Sequence, residues 1–113
     1  MNDYPQAVTS FFEALNAQDT NRALTVFTAD AVVTDDGQTL QGHDEIGPWI
    51  DKDIVGVQVT LTPTSITREA GQTVVEARGD GSFPGSPLTF VFRFQPSDAD
   101  FRLIAGLNIS LAA

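Results

Sequence analysis

The sequence contains no cysteine, a single histidine and only six lysines and arginines. Without thiols there is no disulfide framework, no thiolate zinc site, no cysteine nucleophile and no thiol redox chemistry. His43 alone does not supply the donors of a zinc site, and Asp51-Lys52-Asp53 lacks the further oxygen ligands of a calcium loop. No metal and no cofactor is expected. The few cations, Arg22, Lys52, Arg68, Arg78, Arg93 and Arg102, stand singly against fifteen acidic residues, for a formal charge of −9. They form no basic stripe able to displace counterions, so no nucleic-acid partner is expected. Anionic membrane surfaces and highly phosphorylated substrates are repelled for the same reason, which leaves a neutral, apolar or cationic ligand. No run approaches the roughly 18 apolar residues of a membrane span, and Met1–Gln6 has neither the basic start nor the apolar middle of a signal peptide. The expectation is a soluble, cytoplasmic protein. A nucleophile elbow is missing too, since Gly81-Ser82-Phe83-Pro84-Gly85 carries its serine one place early, and there is no phosphate-cradling loop.

What is present is a chain of 113 residues, 42% apolar and 19% charged, enough for one domain over residues 1–113 with a buried core. Val8, Phe11, Phe12 and Leu15 fall at i, i+3, i+4 and i+7 and predict a helix, with Pro5 suited to its first turn. Asp19 reads as the N-cap of a short second helix carrying Ala23, Leu24 and Phe27. Ala31–Thr34 reads as a short strand, Asp36-Gly37 as a tight turn, and Ile46, Trp49, Ile50 and Ile54 as a third helical segment opened by Gly42. From Val57 the period changes to two. Val57, Val59 and Leu61 alternate with polar residues, Gln72–Gly79 follows the turn at Ala70-Gly71, and Leu88, Phe90, Phe92 and Phe94 alternate up to Pro96. Helices first and long strands afterwards predict an α+β domain, with helices on one side of an antiparallel sheet.

The last strand, read as Phe101–Leu111, has an apolar set at Phe101, Leu103, Ala105, Leu107, Ile109 and Leu111, and Ile104 and Gly106 on the opposite face. With both faces apolar, a one-layer sheet needs a second covering, and a homodimer through the outer sheet face is the expected partner.

Three passages in order resemble the nuclear transport factor 2-like superfamily, which includes ketosteroid isomerase and the SnoaL-like polyketide cyclases. They are Val8-Thr9-Ser10-Phe11-Phe12-Glu13-Ala14-Leu15-Asn16-Ala17-Gln18-Asp19, then Phe27 to Asp30-Ala31 leading into Val33-Thr34-Asp35, then Gly42-His43-Asp44-Glu45-Ile46. The resemblance implies a cone, a curved sheet wrapped around the N-terminal helices with an apolar pocket at its open end. It places the isomerase's general-base aspartate on Asp35. It also places that enzyme's two oxyanion donors, a tyrosine and a protonated aspartic acid, on Phe11 and Phe90, which cannot donate, so steroid isomerisation by that mechanism is not expected. By the same carry-over Phe11, Trp49, Phe90, Phe92, Ile104, Gly106 and Asn108 line the pocket. For Ile104, Gly106 and Asn108 this conflicts with simple periodicity, because a slip of one residue exchanges the two faces of a strand.

Each chemical candidate has a plain alternative. Asp35 facing an apolar cone would have a raised pKa and could shuttle a proton, or Asp35-Asp36-Gly37 is a solvated turn. Asn108 could hydrogen-bond a ligand carbonyl or serve the fold alone. His43, directly after Gly42, reads better as an exposed helix-start residue than as an acid or base. The loop from Gly79 to Pro87, with Phe83 between Gly and Pro, is either a hairpin connection or a lid over the pocket mouth. Together these readings predict a small-molecule-binding domain that could perform cofactor-free proton transfer with Asp35 as base, or else a noncatalytic dimeric interaction module.

Overall fold

Proline has no backbone N–H, and the residue just ahead of a first helical turn does not need one. Pro5 occupies that place, and the stripe of Val8, Phe11, Phe12 and Leu15 then drives α1 (Gln6–Asn16), with all four side chains buried. The structure is a computed structural model that describes residues 5–69, 71–98 and 101–112. Asp19 caps α2 (Thr20–Leu24), its carboxylate accepting the Arg22 N–H at 3.0 Å.

The first strand is longer than its apolar core suggested: β1 covers Phe27–Asp35. Asp36 and Gly37, at φ of 50° and 79°, turn the chain back into β2 (Gln38–Gln41), a strand that its exposed, polar sequence did not announce. Helix α3 (His43–Ile50) continues directly into a π-helical turn, Asp51–Val55, whose wide bonding shows in the Gly56 N–H to Asp51 carbonyl bond of 2.7 Å. The remaining strands are β3 (Thr60–Glu69), β4 (Gln72–Asp80), β5 (Leu88–Pro96) and β6 (Ile104–Leu111). The sheet order is β2-β1-β6-β5-β4-β3. Every neighbouring pair is antiparallel except β1 and β6, which run parallel, so the sheet of this α+β fold is mixed and curved. Among the described residues no helix is long and apolar enough to cross a membrane.

The conflict over the last strand is resolved by a bulge. Gln95 pairs with Gly106 and Pro96 with Ile104, which leaves Ala105 without an opposite residue. One extra residue reverses the alternation. Ile104 before the bulge and Leu107 and Ile109 after it therefore all face the core, at 0%, 3% and 8% exposure. The strand begins at Ile104, so Phe101 and Leu103 precede it. The two apolar sets share one face instead of covering two. The outer positions of β6 are the exposed Asn108 and Ser110, so the apolar outer stripe expected of this strand is not there.

The inner face closes on α1. Phe11 is fully buried, and its ring meets those of Phe12, Phe27, Phe92 and Phe94 edge-on, with centroids 5.3, 5.7, 6.2 and 5.5 Å away. At the far end of α1, Asn16 fastens the edge strand β3. Its Nδ2 donates to the Leu61 carbonyl at 2.9 Å and its Oδ1 accepts the Leu61 N–H at 2.8 Å. Asn16→Leu strips both partners from the half-buried Leu61 backbone and is expected to cost about 1 kcal/mol, read as a lower urea midpoint with an unchanged slope.

Candidate functional site

Where the sheet opens away from the aromatic cluster, it encloses a cavity of about 690 Å³. Two walls come from the sheet, with Phe90 and Phe92 on one side and Asp35 on the other. Asp35 faces inward because it lies two residues after the buried Val33 and opposite the buried Ile109. A third wall comes from the helical segment, where Trp49, Asp53 and Ile54 line the cavity. The π-helical turn brings the last two of these onto the Trp49 side. The mouth is partly covered by Phe83, which leans on Phe90 with ring centroids 6.2 Å apart. The loop that carries it is fastened, its Ser82 N–H donating to the Val57 carbonyl at 2.7 Å and its Gly81 N–H to Ser86 Oγ at 2.9 Å. The close fit of Phe90 depends on Gly79, where a Cβ would stand 2.8 Å from the Phe90 ring.

The chemistry centres on Asp35. Trp49 Nε1–H donates to Asp35 Oδ2 at 3.0 Å, which orients the carboxylate and leaves Oδ1 for other work. Burial raises the Asp35 pKa above its ordinary 3.8; the Trp49 bond pulls it down, and the like charges of Asp53 and Asp36 push it up again. Trp49→Phe removes the one stabilising contact to the charged form, so the pKa is expected to rise further, seen by NMR titration of the side-chain carboxyl.

Five of the expected site residues are gathered here: Asp35, Trp49, Phe90, Phe92 and Asn108. Asn108, however, only borders the cavity. Its register opposite Arg93 and Thr34 puts its side chain on the outer, exposed face, so it is not placed to hold a ligand carbonyl. Three expected residues do not line the cavity at all. Phe11 is sealed in the aromatic cluster behind Phe92, Ile104 is fully buried in the core, and Gly106 is covered by the Gln95 side chain, whose Oε1 would lie 2.7 Å from an added Cβ. The bulge at Ala105 turns Gly106 and the Asn108 side chain away from the interior, whereas Ile104, ahead of the bulge, faces inward as expected but lies in the packed core and not in the cavity. His43 is also elsewhere: its Nε2 lies 3.2 Å from the Phe27 carbonyl, a bond that ties the start of α3 to β1. Asp36 and Asp53 line the cavity without having been singled out as site residues. The signal for Asp53 was its position four residues after Trp49, on the same side of a helical segment. Among the described residues no group of three or more His, Asp or Glu side chains is arranged to hold a metal ion.

The SnoaL-like domain family matches residues 8–102. The chain belongs to the SnoaL-like family. Its structure is similar to that of protein SMa1630 from Sinorhizobium meliloti, named a "putative polyketide cyclase", with a TM-score of 0.88, 32% identity and 96% of each chain covered. A protein of ketosteroid isomerase-like fold from Catenulispora acidiphila, in complex with trimethylamine, gives a TM-score of 0.79 at 22% identity, covering 96% of this chain and 86% of that one. Rv0760c from Mycobacterium tuberculosis, in complex with estradiol-17β-hemisuccinate, gives 0.76 at 19% identity, covering 94% and 91%. A search of curated proteins gave no match. The cone inferred from three short passages is thus the fold of the SnoaL-like family.

Proposed function

We propose that this SnoaL-like domain binds a small, largely apolar molecule in its cavity and moves a proton on it, without a cofactor, using Asp35 as base. The observation that carries the reading is a half-buried carboxylate held in an apolar cavity by one indole N–H, with its second oxygen free of that bond. A carboxylate with a raised pKa is a stronger base than an exposed one. The naming of the S. meliloti relative as a polyketide cyclase is consistent with that chemistry.

The cavity also limits the substrate. The two positions at which a donor would stabilise an enolate are Phe11, which does not reach the cavity, and Phe90, which has no donor. Asp36 and Asp53 oppose any added negative charge as well. A carbanion formed here must therefore be delocalised by the substrate itself, as at a carbon flanked by two carbonyls. Isomerisation, aldol-type cyclisation and dehydration of such compounds fit this requirement. The phenylalanines at these two positions also support a second reading, a noncatalytic ligand-binding module.

Hydrogen–deuterium exchange separates the two. The protein is incubated in D₂O with a panel of β-keto esters and lactones, and exchange at the acidic carbon is followed by ¹H NMR. Exchange faster than buffer alone, and lost on active-site substitution, supports the enzyme. Ligands that bind without accelerated exchange support the binding module.

A further inference from the structure

Apolar cavities usually carry a few polar groups of mixed character to orient a ligand. This one is one-sided. Its titratable lining side chains, among the described residues, are all carboxylates: Asp35 from β1, Asp36 from the β1–β2 turn and Asp53 from the π-helical turn. No lysine, arginine or histidine lines it. Its walls hold four aromatic rings, Trp49, Phe83, Phe90 and Phe92. Aromatic rings present a negative quadrupole face, and an organic cation beside them is attracted in a way that an equally large neutral group is not.

We infer that the cavity selects ligands bearing an organic ammonium group, whose charge sits among the carboxylates of Asp35, Asp36 and Asp53 while its hydrocarbon substituents pack on the aromatic walls. The inference rests on the ligand-binding reading of this cavity and names the chemical class it takes. Three features converge on it. The carboxylates come from two stretches of chain, 35–36 and 53, yet line one open cavity, Asp36 at its exposed rim, and they are close enough for Asp36 and Asp53 to disfavour ionisation of Asp35. A cation relieves that repulsion, whereas a neutral ligand leaves it in place. Among the described residues the fixed donor to these three carboxylates is the Trp49 indole, which serves one oxygen of Asp35, so the cavity's own groups leave most of this negative charge uncompensated. The overall charge of −9 draws cations towards the molecule and repels anions. A cationic centre on the substrate would also stabilise the carbanion that Asp35 creates, a task for which neither Phe11 nor Phe90 offers a donor.

Trp49 is the sole tryptophan and lines the cavity, so its fluorescence reports occupancy directly. The test titrates the full chain with benzyltrimethylammonium and with its uncharged carbon isostere, neopentylbenzene, which has the same shape. The cation is expected to bind at least tenfold more tightly at low salt, with the advantage shrinking as salt is raised. Asp53→Asn and Asp36→Asn, neither of which bonds to Trp49, are expected each to weaken the cation several-fold and leave the isostere unchanged. Equal affinities, or tighter binding of the isostere, would overturn the inference while leaving a ligand-binding cavity established. Binding of neither compound would count against the cavity as a ligand site, and the inference would fall with it.

Discussion

Asp35→Asn is expected to lower the exchange rate on an accepted substrate by about two to four orders of magnitude, the usual contribution of a positioned general base. The amide has nearly the same shape and its oxygen can still accept the Trp49 N–H, so the fold and the binding of an uncharged ligand are expected to persist. The variant should also be more stable than the parent at neutral pH. The folded-state pKa of Asp35 is raised above its ordinary value of 3.8. In the pH range between those two values the folded chain binds more protons than the unfolded one. The contribution of this group to stability is therefore fully present below about pH 3.8 and is lost as pH rises through the folded value. Asparagine carries no such penalty, so the gain in melting temperature should appear at pH 7 and vanish near pH 3. A residue that costs stability and supplies rate is the signature of a functional site. Unchanged exchange in this variant would remove Asp35 from the mechanism.

Phe11→Ala tests the other half of the cone. Phe11 is fully buried and contacts four other phenylalanines. Its truncation is expected to cost about 3–5 kcal/mol, which for a chain of this size lowers the melting temperature by roughly 12–20 °C. The loss in ligand affinity should be far smaller, because Phe92 stands between Phe11 and the cavity. Phe11→Tyr sharpens the distinction. A hydroxyl at the position that holds an oxyanion donor in ketosteroid isomerase would here be buried among rings, so it is expected to destabilise the protein and to leave exchange rates unimproved. A rise in exchange rate with Phe11→Tyr would show that this side chain reaches the substrate.

Much of this architecture is written in local pattern. The stripe on α1, the Asp19 cap, the Asp36-Gly37 turn and the alternation in β5 each follow from the position of apolar and turn residues within a few neighbours. The sequence determined the class of fold, the lack of thiol chemistry, the acidic charge and the presence of an aspartate at the end of β1. Those properties depend on composition and on spacings shorter than one element. The tertiary structure decided what faces the ligand. No local signal marked the bulge at Ala105, because a bulge is set by pairing between β5 and β6, and that one residue turned Asn108 outward and Leu107 and Ile109 inward. The parallel pairing of β1 with β6 set Asp35 beside Ile109, a contact across more than seventy residues of chain. Asp53 reaches the cavity from the π-helical turn that follows α3, a turn that local pattern did not announce. A pKa, likewise, belongs to an environment and not to a residue: the same aspartate in a solvated turn would be ordinary, and its burial beside Trp49 and Asp53 comes from two distant stretches of chain meeting in space.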